Sequence, residues 1–186
     1  MHTPSFQAAL PIAPAPAHWQ LLREVLVPVA VPKGGQLLRP GQVCDCIYFV
    51  ERGILRHYLL HEGKEINTHF AQAGHFTTDF SSLTGQQPAA LTIEALAPSE
   101  LLVLSRADML ALYDQAPALQ AVGRGLLEQL LAQQQVRLEL LLRDTAQGRY
   151  QFVQQQQPEL LQAVSLRHLA SYLGLSRETV SRVRGR

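Results

Sequence analysis

The tightest constraint on this chain is a break near its C-terminus, Gly174-Leu175, set between two short stretches of helical periodicity. Leu166, Leu169, Ala170 and Leu173 recur at i, i+3, i+4 and i+7, which gathers them on one helix face. Gly174 follows at once and suits the left-handed residue after a helix C-terminus. Leu175 can fill the angle between the helices, and Ser176 can cap the second one through its hydroxyl. Val180 and Val183 then point back to the first helix, while Arg177, Glu178, Ser181 and Arg182 share the opposite face. That layout is a helix-turn-helix, whose second helix enters the major groove of DNA.

Any helical hairpin has apolar spacing and a glycine turn, and a basic helix is commonly just a solvated face. Charge separates the two readings. Residues 165–186 hold five Arg and one Glu, a formal +4. Residues 1–164 hold eleven basic and fourteen acidic residues, a formal −3, so the whole chain stands at +1. A nearly neutral chain that gathers its positive charge at one end presents a phosphate-seeking surface. Double-stranded DNA is the expected partner.

A hydrophobic content of 47% in 186 residues is ample for a packed core. Cys44 and Cys46 stand too close for an ordinary disulfide framework and offer half a zinc site. On a strand both would face one way, as two small side chains packing in a sheet. So few cysteines fit a reducing cytoplasm, the expected location. Met1–Pro16 carries four prolines and no Lys or Arg, unlike a signal peptide, and reads as a loosely ordered arm before a helix over His18–Val27. No apolar run is long enough for a membrane span.

From Val29 to Leu104 the texture turns to short strands. Turn chemistry at Val31–Gly35 and Arg39–Gln42 precedes a strand at Ile47–Val50, ended by Glu51-Arg-Gly53. Ile54–Leu60 and Glu65–Ala71 flank a hairpin turn at His61–Lys64. Leu91–Ala95 and Glu100–Leu104 complete a set that implies a β-sandwich or jelly roll.

Pro40-Gly41, Ile47–Val50, Glu51–Gly53, Glu62–Glu65 and Gly74-His-Phe76, in this order, resemble the cyclic-nucleotide-binding domain of the Crp/Fnr family of bacterial transcription regulators. Leu173–Arg182 is similar to that family's recognition element. The resemblance spans about Val29 to Arg184 in the family's domain order. It implies a sensor barrel, a dimerising helix and RNA polymerase among the partners. Members that bind cyclic AMP carry a Gly-Glu pair, whose Glu takes the ribose hydroxyl, and an Arg-Ser or Arg-Thr pair, whose Arg meets the cyclic phosphate. This chain has Thr78-Asp79 and Ala89-Ala90 at those places. Asp79 can still accept from a hydroxyl, but Ala89 cannot neutralise a phosphate, and a buried unpaired phosphate is costly. Thr78, Asp79, Ala89 and Ala90 are therefore the effector-pocket candidates, and cyclic AMP is not the expected effector.

Other chemistry finds little support. Two cysteines cannot supply the four ligands of an iron–sulfur cluster. His57, His61, His69 and His75 are scattered through the strands and read as ordinary strand residues rather than ligands to a metal or haem. No His-x-His cupin signature, P-loop or nucleophile elbow occurs. No metal, cofactor or catalytic residue is expected.

Pro117 can open a long helix. Leu119, Val122, Leu126, Leu127, Leu130 and Leu131, continued by Val136, Leu138 and Leu140–Leu142, make an apolar face too broad for one sheet. Gly123 and Gly125 permit close approach of another helix. The resemblance implies that this helix forms a homodimer, with two recognition helices about one DNA turn apart. Gly148 reads as a break, and Gln154–Gln157 with Pro158 as a helix end.

Arg177 and Arg182 can each grip guanine O6 and N7, and Glu178 can accept from cytosine N4. The resemblance implies an inverted repeat with a GTGA-type half-site. Ser176, Thr179 and Ser181 suit phosphates, as do Arg167 and His168 on the first helix. Glu178 could instead pair with Arg182 across one helix turn. The expected architecture is α+β: a β-sandwich or jelly-roll, cyclic-nucleotide-binding-like domain over 1–116, a dimerisation helix over 117–143 and a helix-turn-helix domain over 144–186. The chain stops at Arg184-Gly-Arg186 without a full β-hairpin wing. That motivates a second reading, a small-molecule-binding or protein-interaction module with a degenerate DNA-binding end.

Overall fold

Ile47-Tyr-Phe-Val50 lacks polar alternation because both faces of its strand are covered. Tyr48 and Val50 point into the core between two sheets, whereas Ile47 and Phe49 point outward under a layer of helices. The computed structural model describes residues 4–143 and 145–185. Met1–Thr3, Asp144 and Arg186 lie outside the described residues, and with them parts of the expected arm, the boundary at 144 and the last C-terminal charge.

Helices α1 (Pro4–Ala9) and α2 (Pro16–Val25) lead into β1 (Val27–Val31), β2 (Gln36–Leu38), β3 (Cys46–Arg52), β4 (Ile54–His61), β5 (Lys64–Gln72) and β6 (Phe76–Thr77). Next come α3 (Phe80–Gly85), β7 (Thr92–Ala95) and β8 (Ser99–Ser105). The rest is helical: α4 (Arg106–Gln115), α5 (Leu119–Leu141), α6 (Ala146–Gln156), α7 (Leu160–Ala163), α8 (Leu166–Leu173) and α9 (Arg177–Arg184). Among the described residues the strands form two four-stranded antiparallel sheets, in the orders β1-β8-β3-β6 and β2-β7-β4-β5. Leu55, Ile93, Ala95 and Leu101 fill the space between them.

Sequence periodicity located β3, β4, β5, β7 and β8 but not β1, β2 or β6. The first two are sheet edges, and Pro28 within β1 is tolerated because an edge strand has a side that needs no ladder bond. The Pro-rich arm is corrected too. Phe6 on α1 is 3% exposed and sets its ring against Phe49 and Phe76, 5.1 and 5.3 Å between centroids. A single aromatic anchor thus orders a stretch whose composition suggested none. Cys44 precedes β3 rather than sharing the strand with Cys46. It is buried, and its backbone N–H donates to the Ser82 hydroxyl at 2.8 Å.

Gly148 does not break the chain. It lies in the first turn of α6, where its N–H donates to the Thr145 hydroxyl cap at 3.0 Å. Gly123 does permit close approach of another helix, α4, and Gly125 that of the segment between α1 and α2. A Cβ at Gly123 would collide with the Tyr113 hydroxyl, and one at Gly125 would press on Pro11 and Ile12. Among the described residues no helix is long and apolar enough to cross a membrane.

Candidate functional site

Three local devices build the C-terminal reading head. Ser165 caps α8 by accepting from the His168 N–H at 3.3 Å. Gly174, at φ +65°, ends it: its N–H meets the Ser171 carbonyl and the Leu175 N–H meets the Ala170 carbonyl, a Schellman closure. Ser176 then caps α9 by accepting from the Thr179 N–H at 3.1 Å. Leu169, Leu173, Val180 and Val183 are buried together in the angle.

Arg177, Glu178, Ser181 and Arg182 remain exposed on the far side of α9. Among the described residues no hydrogen bond or ion pair joins Glu178 to Arg182, so the alternative of an intrahelical pair is not formed here. The backbone N–H at the helix start and the Ser176 hydroxyl hold the Glu178 carboxyl below its usual range, so it is ionised and able to accept. Ser176 and Thr179 are occupied by capping and bond each other at 3.1 Å.

The first helix is placed differently from the expectation that His168 meets phosphate. His168 packs on the sensor. Its Nδ1 lies 3.3 Å from an Arg56 guanidinium nitrogen, and its carbonyl accepts from the Asn67 amide at 3.2 Å. Ser171 accepts from the Asn67 N–H and donates to the Glu65 carbonyl. Tyr172 packs edge to face on Phe70, with the Arg137 guanidinium over its ring, 4.0 Å from the centroid. Arg167 stays exposed. Arg149 ties α5 to the head: its guanidinium donates at 3.0 Å to the carbonyls of Leu141, Arg143 and Leu173. Positive charge at two helix C-termini is favourable. Sequence reading missed this interface because its halves lie about a hundred positions apart; the one local signal was an Arg in the middle of an apolar strand.

Arg56 is the centre of that interface on the sensor side. It is 4% exposed and bonds Glu65 at 2.7 Å and Glu94 at 3.0 Å. Burial works against its charge, but the two carboxylates outweigh it and raise its pKa. Glu65 is correspondingly held low by Arg56.

A cavity of about 400 Å³ lies on the other face of the same hairpin, between β4–β5, the start of α3 and the middle of α5. His57, Thr68 and His69 line it from the hairpin, Thr78 and Asp79 from below, and Gln133 and Gln134 from α5. Register explains why both Thr68 and His69 reach it. His57 pairs with His69 and Tyr58 with Asn67, so Thr68 is the extra residue of a β-bulge. The His57 and His69 rings meet edge to face, 5.2 Å apart, and His57 Nε2 lies 2.7 Å from the Thr77 hydroxyl. Burial holds the His57 pKa well below its ordinary value and pulls that of His69 down to about 4, so both are neutral at pH 7.

Of the four pocket candidates, the structure brings Thr78 and Asp79 to this cavity. The Asp79 carboxylate also caps α3, accepting from the Ser82 N–H at 3.1 Å. Ala89 is buried in the core between the sheets and Ala90 is exposed; neither lines the cavity. The lining contains no Lys or Arg. Among the described residues no group of three or more His, Cys, Asp or Glu could hold a metal ion.

Comparison with known proteins agrees with both halves. Residues 28–116 match the family described as cyclic nucleotide-binding domain, and residues 163–186 match bacterial regulatory proteins, crp family. The chain is 31% identical over 157 residues to the cyclic AMP receptor protein of Thermus thermophilus, covering 82% of this chain and 72% of that one. Its fold is similar to the crystal structure of the Thermus thermophilus catabolite activator protein, with 26% identity, TM-score 0.59 and 95% and 85% of the two chains covered. FixK2 from Bradyrhizobium japonicum gives 25% identity and TM-score 0.69 over 87% and 83%. With a matching sensor domain, a matching reading head and this relative, the chain belongs to the Crp/Fnr family of bacterial transcription regulators.

Proposed function

We propose that this regulator reads DNA through Arg177, Glu178 and Arg182 as a homodimer, and that its sensor cavity answers to something other than cyclic AMP. The observation that carries the first part is the exposed Arg177-Glu178-Ser181-Arg182 face, on a helix anchored from behind by Val180 and Val183. Arg177 and Arg182 present bidentate donors for guanine, and the ionised Glu178 an acceptor for cytosine N4. Ser181 and the exposed Arg167 serve phosphates. Support for the dimer is a row of leucines left uncovered on α5. Leu131 and Leu138 are 55 and 58% exposed, seven positions apart and so on one side of the helix, and Leu142, just past its end, is 69% exposed.

Against cyclic AMP stands the cavity lining, which holds Asp79 and no cation. A cyclic phosphate there would lose its water and meet no positive charge. The relative's name says that it is a receptor of cyclic AMP; the residues here favour a neutral or hydroxyl-rich ligand for Asp79 and the neutral His57–His69 pair. The β4–β5 hairpin carries the signal. Its His57 and His69 face the cavity while its Arg56 and Asn67 hold α8. A ligand that shifts the hairpin therefore shifts the reading head, a population change between arrangements of the head on the barrel.

Fluorescence anisotropy of a duplex with an inverted GTGA-type repeat, beside a scrambled duplex and with and without cyclic AMP, tests the reading. Saturable binding selective for the repeat and indifferent to cyclic AMP is expected, and is lost in R177A/R182A. Binding only with cyclic AMP would overturn the account of the sensor. Equal binding of both duplexes would overturn the assignment of the base-reading residues.

A further inference from the structure

A second cavity, of about 270 Å³, lies over the outer face of the other sheet, one turn back along α5 from the sensor cavity. Its floor is Phe49, Leu102 and Phe76, all nearly fully buried, and its walls come from α1, α4 and the first half of α5. Thr84 and Leu110 are exposed at its rim. The lining is apolar except at the rim, where Arg106 is its one charged side chain. Among the described residues neither the Arg106 guanidinium nor the Tyr113 hydroxyl, which also borders the cavity, makes a hydrogen bond or ion pair.

We propose that this cavity is a second effector site that takes an aliphatic monocarboxylate of medium chain length, its chain on Phe49, Leu102 and Leu126 and its carboxylate on Arg106 at the rim. Size fits the chain. An apolar cavity of about 150 Å³ stays dry and admits benzene, so the larger one here favours a longer apolar body over water. Charge fits the head. A guanidinium presents two parallel N–H donors that match a carboxylate, and with no second cation nearby the site does not suit a phosphate dianion. The Tyr113 hydroxyl is the other polar group bordering the cavity besides Thr84 at the rim. Burial raises the Tyr113 pKa, which keeps that hydroxyl protonated. The bare backbone of Gly123 makes room for the Tyr113 ring against α5.

The site also has a route to the reading head. Leu119, Val122 and Leu126 form one wall and belong to α5, whose far end carries the uncovered leucines and the Arg149 bonds to the head. Filling the cavity stiffens or displaces the first half of that helix, whereas the sensor cavity acts through the β4–β5 hairpin. The site thus goes beyond the sensor reading and does not depend on it.

The chain carries its own probe. Trp19, the one tryptophan, packs 5.7 Å from the Phe6 ring on the cavity wall. Titrating the intact protein with decanoate, decanol and decylamine, below their micelle-forming concentrations, reads occupancy from Trp19 fluorescence. Saturable binding of decanoate is expected, ~10-fold tighter than decanol, with decylamine weakest. R106Q should bring decanoate down to the level of decanol and leave decanol unchanged. No saturable change with decanoate would overturn the site. Equal affinity for decanoate and decanol, or unchanged decanoate binding in R106Q, would overturn the assignment of its head group. DNA anisotropy on the same samples keeps the two readings apart: a protein that binds decanoate but no DNA loses the proposed function and keeps the cavity, and the reverse result does the opposite.

Discussion

The backbone N–H of Asn67 donates to the Ser171 hydroxyl at 2.9 Å across 104 positions of sequence, joining the sensor to the reading head. The same hydroxyl donates a hydrogen bond to the Glu65 carbonyl at 2.8 Å. β5 is the edge of its sheet, and an edge leaves backbone groups that need partners. Helix α8 supplies them through one small side chain.

Ser171→Ala removes both bonds and leaves an edge N–H unanswered. The docked arrangement should lose about 1–2 kcal/mol. Limited proteolysis between α5 and α6 should quicken, while the melting of the barrel stays nearly unchanged. An unaltered cleavage rate would mean that the head is not held there in solution.

Arg56 is a harsher case. Arg56→Met strands Glu65 and Glu94 without their cation, at a cost of about 1–3 kcal/mol, because Glu94 is largely buried while Glu65 keeps 31% of its side chain exposed. Adding Glu65→Gln and Glu94→Gln should restore most of that loss, because the remaining groups are neutral. Denaturant midpoints of the single and triple variants check this. A single variant as stable as the parent would show that the carboxylates reach water.

The barrel and the reading head were legible for different reasons. Leu166 to Val183 announces its fold locally, through a cap, a left-handed glycine and one apolar stripe, and such devices depend only on neighbouring residues. The strands with alternating or doubly buried faces were equally plain. Hidden features depended on distant partners: Phe6 gave no sign that Phe49 and Phe76 would receive it, and His168 gave none that Arg56 waited for it. In the pocket, spacing brought out Thr78 and Asp79, but the β-bulge at Thr68 that turns two successive residues inward leaves no mark in composition.

Stability should fall with acid in a definite window. His57 and His69 are neutral when folded, with pKa values depressed well below the ordinary value and to about 4, whereas the unfolded chain takes up protons near pH 6.5. Below pH 6.5 the unfolded state binds more protons, so stability declines as pH drops from 6.5 towards 4 and is restored as pH rises. His69→Phe should flatten that slope. Thermal midpoints between pH 4.5 and 7.5 read it, and an equal slope in the variant would assign the loss to other groups.

Salt dependence separates base reading from phosphate contact. Arg182→Ala should cost about 1–3 kcal/mol on the inverted repeat and remove most of the preference over a scrambled duplex. Arg167, exposed on α8 and off the α9 face, is assigned to phosphate; Arg167→Ala should weaken both duplexes alike and reduce the slope of log affinity against log salt by about one. The docking of α8 on β5 bears on the same measurement. If DNA must pull the head from the hairpin, Ser171→Ala tightens binding to both duplexes by the free energy it takes from the docked state, with the salt slope unchanged. If the docked arrangement is itself the one that binds, the same variant weakens binding. The sign of that single change therefore decides whether the Asn67–Ser171 bond holds the regulator off DNA or holds it ready.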